Sequence, residues 1–182
     1  MRTLRHKSKV LGEQRRDLIL RTLQEANHPV TGGELGDLTN VSRQVIVSDI
    51  NLLKAKNEPI MATNQGYLYT RANERVRAIE KIIVCKHAPE QTAEELNILV
   101  DHGVTVKDVR VEHPVYGDVR ASIMVSNRQE VKAFIEQIEQ AQAPYLLNLD
   151  DSGIHLHAIS APKQEQLHDA EEALKKAGFL VE

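Results

Sequence analysis

His155 and His157 stand two residues apart in the run GIHLH. On a strand, side chains two apart leave the same face, so the two imidazoles point one way and Ile154 and Leu156 the other. Two same-facing imidazoles are half of a metal site; a polar patch on the solvent face of a strand is the alternative reading. Further ligands follow from the neighbouring elements. If the first and last strands of this half of the chain are antiparallel neighbours, as in a ferredoxin-like sheet, His87 at the end of the first approaches His155 at the start of the last. Glu95 sits on the helix after His87 and can lean over the same edge, with Glu94 as the alternative. His113 lies with Tyr116 in the corner HPVYG, at the opposite end of such a sheet, where it can be a turn residue, a ligand or a dimer contact. His6, His28, His102 and His168 need no function; His102 falls near a helix C-terminus, where imidazole is locally favoured.

A second chemistry is carried by residues 42–54, SRQVIVSDINLLK. Ser42 can cap a helix in which Ile46, Ile50 and Leu53 recur at helical spacing and anchor one face. Ser42, Arg43, Gln44, Val47, Ser48, Asn51 and Lys54 are then available for the other. A capped helix with such a polar, partly basic face fits a DNA major groove, with Arg43 and Gln44 in the first turn, where base edges are met. Lys54, Arg15 and Arg16 read as phosphate contacts or solvated charge, and Asp49 weakens a purely electrostatic reading. An ordinary amphipathic helix is the alternative.

The elements that must position these groups fall into two sets. In the first, Arg15–Asn27 reads as a helix ended by His28-Pro29. Thr31 with Glu34 makes a capping-box pattern for a short second helix containing Gly33 and Gly36, which holds only if packed between its neighbours. After the third helix, residues 60–63 and 67–70 flank the turn signal Asn64-Gln65-Gly66 as a hairpin. Three helices and a hairpin make a winged helix-turn-helix; a small three-helix domain with an incidental hairpin is the alternative. No CxxC set, Gly-rich phosphate loop or paired aromatic platform accompanies it, which argues against zinc-finger, nucleotide and RNA readings. In the second set, Ile79, Ile82, Ile83 and Val84 suggest a buried strand, and a helix follows Pro89 with Leu96, Leu99 and Val100 on its apolar side. Alternating strands follow at 104–112 and 119–125, then a helix at 128–141 capped by Ser126 or Asn127. A connector at 144–149 leads to a strand at 154–160, and a last helix opens at Ala161-Pro162 and closes at Gly178. The order β-α-β-β-α-β with one extra helix is a ferredoxin-like or related pattern.

The fold class expected is α+β. A flexible basic N-terminus spans 1–12, a winged helix-turn-helix 13–70, a linker 71–78, and a ligand- and metal-binding regulatory domain 79–182. Charge follows this division. The whole chain of 182 residues carries a net charge of -3. Residues 1–78 hold 13 Lys and Arg against 8 Asp and Glu, a net +5, and residues 79–182 hold 10 against 18, a net -8. A basic first half and an acidic second half fit a DNA-facing module joined to one that is not. Cys85 is the only cysteine, so no intrachain disulfide can form, and a cytoplasmic, reducing setting is expected. No apolar run is long enough to span a bilayer, and none follows the basic start as a signal peptide requires, so no membrane partner is expected.

Three motifs of the second half, CKH at 85–87, VEHPVYGDV at 111–119 and GIHLH at 153–157, resemble the three-histidine (3H) domain, while SRQVIVSDI resembles the winged-helix segment of small bacterial ligand-sensing repressors. Together, in this order and over about residues 12–180, the chain resembles the NiaR (YrxA) family of niacin-responsive transcriptional repressors. The resemblance implies repression of NAD biosynthesis and niacin uptake genes through double-stranded operator DNA, with nicotinic acid as corepressor. It also implies a divalent transition metal, zinc, nickel or iron, held by His87, Glu95, His155 and His157. The segment ahead of GIHLH departs from the family's usual pattern at Leu147, where a small polar residue is expected, and at Asp150, where Thr is common. A homodimer joined mainly through residues 79–182 is expected, because a helix-turn-helix reads paired half-sites by two-fold symmetry. A repressor that responds to the metal itself is a second reading. A metal-dependent enzyme is a third, disfavoured because no nucleophile or separate acid–base pair accompanies the histidines; no catalytic residue is assigned.

Overall fold

The computed structural model describes residues 11–70, 78–150 and 152–181. The basic N-terminal segment and the linker expected at 71–78 fall largely outside the described residues. Contacts divide the chain into two units, Met1–Glu74 and Arg75–Glu182.

The first unit has α1 (Gly12–Glu25), α2 (Gly32–Thr39) and α3 (Arg43–Ala55), then β1 (Ile60–Thr63) and β2 (Gly66–Tyr69). The two strands pair antiparallel, and Val30, between α1 and α2, makes an isolated antiparallel bridge to Tyr67 of β2. The core is one cluster of Ile19, Leu23, Leu35, Ile46, Ile50 and Leu53 with Val30 and Ile60. Each such side chain contributes on the order of 1.5–3 kcal/mol when fully buried. The two-glycine α2 is explained by its neighbours. A Cβ at Gly36 would stand 2.8 Å from the carbonyl oxygen of Val41, so only glycine admits this approach of the α2–α3 turn. Asn40, left-handed at φ 55°, closes the helix.

Two expectations change here. Thr31 caps α2 through a complete capping box with Glu34, but Ser42 stands at the N-cap position of α3 without a side-chain cap bond; its carbonyl instead accepts from the amides of Val45 and Ile46. Arg15 and Asp49 are not solvated charge. Both are buried, with Arg15 Nε 2.6 Å from Asp49 Oδ2 and Arg16 Nη1 3.4 Å from Oδ1. Asp49 lies on the inner side of α3, where the pair ties that helix to α1 and leaves the outer face without a carboxylate.

The second unit runs β3 (Ile79–Lys86), α4 (Thr92–Asp101), β4 (Thr105–His113), β5 (Gly117–Val125), α5 (Arg128–Ala141), β6 (Ile154–Ala161) and α6 (Gln164–Ala177). Short 3-10 turns at Pro89–Gln91 and Leu146–Leu149 lead into α4 and stand in the connector before β6. Asn127 caps α5 by accepting from the Glu130 amide, and α6 opens at Gln164, two residues beyond Pro162. The expected β-α-β-β-α-β order is present with α6 added. The sheet order is β3-β6-β4-β5, antiparallel throughout. β3 and β6 are neighbours as anticipated, but β6 and β4 are central, whereas a ferredoxin-like sheet centres the first and third of its strands. Helices cover one face, built around Ile83, Cys85, Val106, Ile123, Val125 and Ile159 with Leu96, Leu99, Val131, Leu167 and Leu174. β3, an edge strand, buries only Ile83 and Cys85; Ile79 and Ile82 are exposed, against the expectation of a buried run.

These contacts order the substitutions in the first unit. Asp49→Ala removes the buried carboxylate that Arg15 and Arg16 share and is expected to destabilise the unit by about 3 kcal/mol. Thr31→Ala is expected to raise local opening of α2 roughly fivefold, and Ser42→Ala to leave α3 nearly unchanged. Hydrogen exchange of peptides across residues 12–55 in the full chain reads all three, and equal effects at Thr31 and Ser42 would contradict the capping pattern.

Candidate metal centre and DNA-reading face

Residues of β6 alternate, and His155 and His157 share the helix-covered face with Cys85 and Ile83 of β3; they are 0% and 2% exposed. Cys85 faces His155 and Ile83 faces His157 across the β3–β6 ladder. His87 follows directly on β3. α4 runs over this end of the sheet and turns Glu95 inward, fully buried, while Glu94 is exposed. The carboxylate meets three rings. His87 Nε2 is 2.8 Å from Glu95 Oε2, His157 Nε2 is 3.2 Å from Oε2, and His155 Nε2 is 3.2 Å from Oε1 and 3.3 Å from Oε2.

The far side of each ring decides what these contacts are. His87 Nδ1 lies 2.8 Å from the Ala88 carbonyl, His155 Nδ1 3.1 Å from that of Gly153, and His157 Nδ1 2.7 Å from that of Asp108. A carbonyl only accepts, so each Nδ1 carries the proton, and in a neutral ring each Nε2 is a bare lone pair. Three bare nitrogens against an ionised carboxylate repel unless positive charge lies among them. Protons or a metal ion both satisfy this. Ligand atoms about 2.1 Å from one ion and roughly 90–110° apart lie about 3 Å from each other, so the observed spacings suit shared ligands of one divalent ion. Nδ1–H donated to a carbonyl is also the orienting contact typical of metal-bound imidazole. The donor set therefore fits a transition metal.

Cys85 belongs beside them and was not picked out by sequence reasoning. Its sulfur and ligand atoms of Glu95 and His155 lie within 4.8 Å of one another. Its place opposite His155 in the ladder is the signal; the strand register needed to see it is absent from a one-dimensional reading. Burial, and then the charge of Glu95, push its thiol far above the ordinary value.

A cavity of about 710 Å³ lies next to the cluster, lined by His87, whose ring itself is only 1% exposed, and by Lys86, Ala88, Leu147, Asn148, Asp150, Ser152 and Gly153. Gly153 is left-handed at φ 69°, and a Cβ there would stand 2.7 Å from the His87 carbonyl oxygen. Only glycine lets this loop close on His87 and present its own carbonyl to His155.

His113 is not brought to the centre. It ends β4, and its Nδ1 accepts the amide N–H of Val115 at 3.1 Å and of Tyr116 at 3.2 Å. Its neutral ring must therefore carry the proton on Nε2, the reverse of the three clustered histidines. It caps the hairpin corner and stacks on Tyr116 with centroids 4.8 Å apart. His102, at the end of α4, donates from Nδ1 to the Ile98 carbonyl.

In the first unit, α3 turns Ile46, Asp49, Ile50 and Leu53 inward. Ser42, Arg43, Gln44, Ser48 and Asn51 are exposed, with Val47 and Lys54 half-buried at the margin. All seven lie off the buried side of α3. The Arg43 stem runs along Gly32, its Cγ 3.2 Å from where a Cβ would be, which ties the residue laterally while its head stays exposed.

Residues 80–182 match the family described as the 3H domain, and residues 15–68 match the family described as the HTH domain. The chain is 53% identical over 174 residues to a protein named transcription repressor NadR from Bacillus subtilis, covering 95% of this chain and 96% of that one. It is 40% identical over 174 residues to a protein named probable transcription repressor NiaR from Thermotoga maritima, covering 96% and 97%. No described helix is long and apolar enough to cross a membrane.

The site's protonation generates a pH prediction. In the metal-free chain burial pulls His87 and His157 down, but hydrogen bonding to Glu95 and its charge outweigh this and raise both. Burial pushes Glu95 up, yet His157 and the three hydrogen bonds hold it well below its ordinary range. The raised histidines stabilise the fold fully below the ordinary imidazole value of 6.5 and lose that as pH rises through their raised values. The depressed Glu95 stabilises above 4.5 and loses that as pH falls through its lowered value. A metal ion replaces the shared protons, so the rise in Tm on adding zinc to chelated protein should grow from pH 6 to pH 8. A rise that is constant or shrinks over that interval contradicts the assignment.

Proposed function

The chain belongs to the family of NiaR- and NadR-like transcription repressors that join an HTH domain to a 3H domain, and from that membership we infer a niacin-responsive repressor of NAD biosynthesis genes. Its role is regulation, not catalysis, in keeping with relatives that are repressors. In this reading the exposed face of α3, with Ser42, Arg43, Gln44, Val47, Ser48, Asn51 and Lys54, meets the major groove of operator DNA, and Arg43 and Gln44 read bases. His87, Glu95, His155 and His157 hold one divalent ion, zinc, nickel or iron. Nicotinic acid is the corepressor and occupies the cavity beside His87.

The observation that carries this is the convergence of three bare imidazole nitrogens on one buried carboxylate at the wall of a cavity. Nicotinate is small, with one carboxylate and one ring nitrogen. An acidic unit repels that anion unless local positive charge offsets its field. A divalent ion among three neutral imidazoles and one carboxylate supplies a net charge near +1 and open coordination positions for the ligand. Lys86 adds a second cation at the cavity, while Asp150 is engaged with Ser152 in the loop. Leu147, where the family pattern carries a small polar residue, and Asp150, where it commonly carries Thr, line the same cavity. The protein acts as a cytoplasmic homodimer. The face of the sheet opposite the helices, with exposed Ile82 and Ile154, is the surface assigned to the second copy.

Gel-shift titration of the full chain on its operator with nicotinate, nicotinamide and NAD tests the reading, run with metal-loaded and chelated protein. Nicotinate is expected to tighten operator binding in the loaded protein alone, and His157→Ala to abolish that response while basal DNA binding persists. Nicotinate affinity that survives complete metal removal sinks the shared pocket, and operator binding tuned by metal without nicotinate would favour the metal-responsive reading. On the DNA side, Arg43→Ala should cost about 1–3 kcal/mol of discrimination at one base pair, whereas Lys54→Ala should weaken all sequences alike and lower the salt slope. An unchanged ranking of operator variants by Arg43→Ala would make Arg43 a positioning contact. Ile82→Arg should convert the dimer to monomer in sedimentation velocity, and a persisting dimer places the interface elsewhere.

A further inference from the structure

β4 carries one residue too many. Val106 pairs with Ile159 and Arg110 with Leu156, so three intervening residues of β4 oppose two of β6. Asp108 stands within this irregular stretch and meets β6 twice. Its carboxylate Oδ1 accepts the Ala158 amide N–H at 3.0 Å, and its backbone carbonyl accepts the Nδ1–H of His157 at 2.7 Å. The side chain is fully buried although it lies on the face opposite the helices, because two arginines cover it. Arg110 reaches it through Nε at 3.2 Å and Nη2 at 3.2 Å, and Arg120, paired with Arg110 across the β4–β5 ladder, through Nη2 at 2.5 Å.

We propose that Asp108 is a positioning residue for the metal centre: held by Arg110 and Arg120, it fixes the bulge whose carbonyl sets the tautomer and aim of His157. The inference rests on the metal-binding reading above and adds to it a control point that touches neither ion nor corepressor. The three ligand histidines differ in what orients them. His87 and His155 are oriented by carbonyls of the loops beside them, those of Ala88 and Gly153. The carbonyl that orients His157 belongs to a strand bulge, a feature with no intrinsic rigidity, and the buried carboxylate supplies that rigidity through the Ala158 amide and two guanidinium groups. Loss of the clamp lets the bulge relax and His157 turn away from Glu95. Orienting partners of this kind typically alter metal affinity 10–100-fold when removed.

The test uses the chelated full chain titrated with cobalt(II) against a chromophoric chelator, with the visible cobalt spectrum recorded at saturation. Asp108→Ala should weaken cobalt binding about 10–100-fold and shift the cobalt bands. Asp108→Asn, which keeps an acceptor for the Ala158 amide, should fall between it and the parent. Arg120→Ala, on the sheet face assigned above to the second copy, is measured where sedimentation shows the dimer intact; it should weaken binding several-fold, and Arg120→Lys should restore part of it. If Asp108→Ala does not fold, the other variants carry the test. Parent affinity and an unchanged cobalt spectrum in Arg120→Ala and Asp108→Asn, even with a lowered Tm, would reduce the clamp to a structural role and overturn the proposal. A parent chain that takes up no cobalt, zinc or nickel would instead fell the metal reading, and this inference with it.

Discussion

A carboxylate buried out of reach of water is the constraint on which the second unit depends. An isolated ionised Glu95 in that position would cost several kcal/mol. The unit answers with three imidazoles aimed at one point, and each demand that follows is met by a specific piece of backbone. α4 must cross the end of the sheet to deliver Glu95. β6 must be central so that both of its histidines lie under that helix. The loop before β6 must close on His87, which Gly153 permits by its left-handed conformation and lack of a Cβ. The carbonyls of Ala88, Gly153 and Asp108 must each take an Nδ1–H so that every Nε2 is bare.

The first unit also buries an ion pair, and the comparison separates two uses of buried charge. Arg15 and Asp49 pair directly at 2.6 Å, with the less buried Arg16 as a second cation at the carboxylate. That arrangement is complete in itself and serves to lock α3 against α1, so that the exposed face of α3 has a fixed aim. The cluster around Glu95 is complete only with protons or a cation among its members. The first is a fastener and the second a receptacle, although both combine acidic and basic side chains at low exposure. What distinguishes them is the proton count that the hydrogen-bond partners impose.

Much of this was legible in the chain as a string. Helical spacing in α1 and α3, the Thr31–Glu34 capping box, the wing turn at Asn64–Gly66 and the β-α-β-β-α-β order are local patterns, set by the 3.6 and 2.0 periods of side-chain direction and by turn chemistry. Period 2 also put His155 and His157 on one face, and the adjacency of first and last strands brought His87 and Glu95 to them. The resemblance to the 3H domain implied the same four residues, although Glu95 lies in none of its quoted motifs and HPVYG contributes only His113.

What the string could not decide was set by pairing at long range. Whether the face carrying His155 and His157 met helices or water depended on which side of the sheet the helices cover, and that is a property of the whole unit. Ile79 and Ile82 are as apolar as any core residue, but an edge strand exposes them. Asp49 looks like one more charge on a helix surface until Arg15, thirty-four residues away, is seen to meet it. His113 shares its residue type with the three clustered histidines, yet amides of its own turn hold its Nδ1 and give it the opposite tautomer. Cys85 gained a neighbour in His155 only through the β3–β6 register, and Asp108 gained its place beneath His157 only through one surplus residue in β4. In each case residue type stated what chemistry was available, and tertiary contact decided which atom held the proton, which face met solvent and which charges found one another.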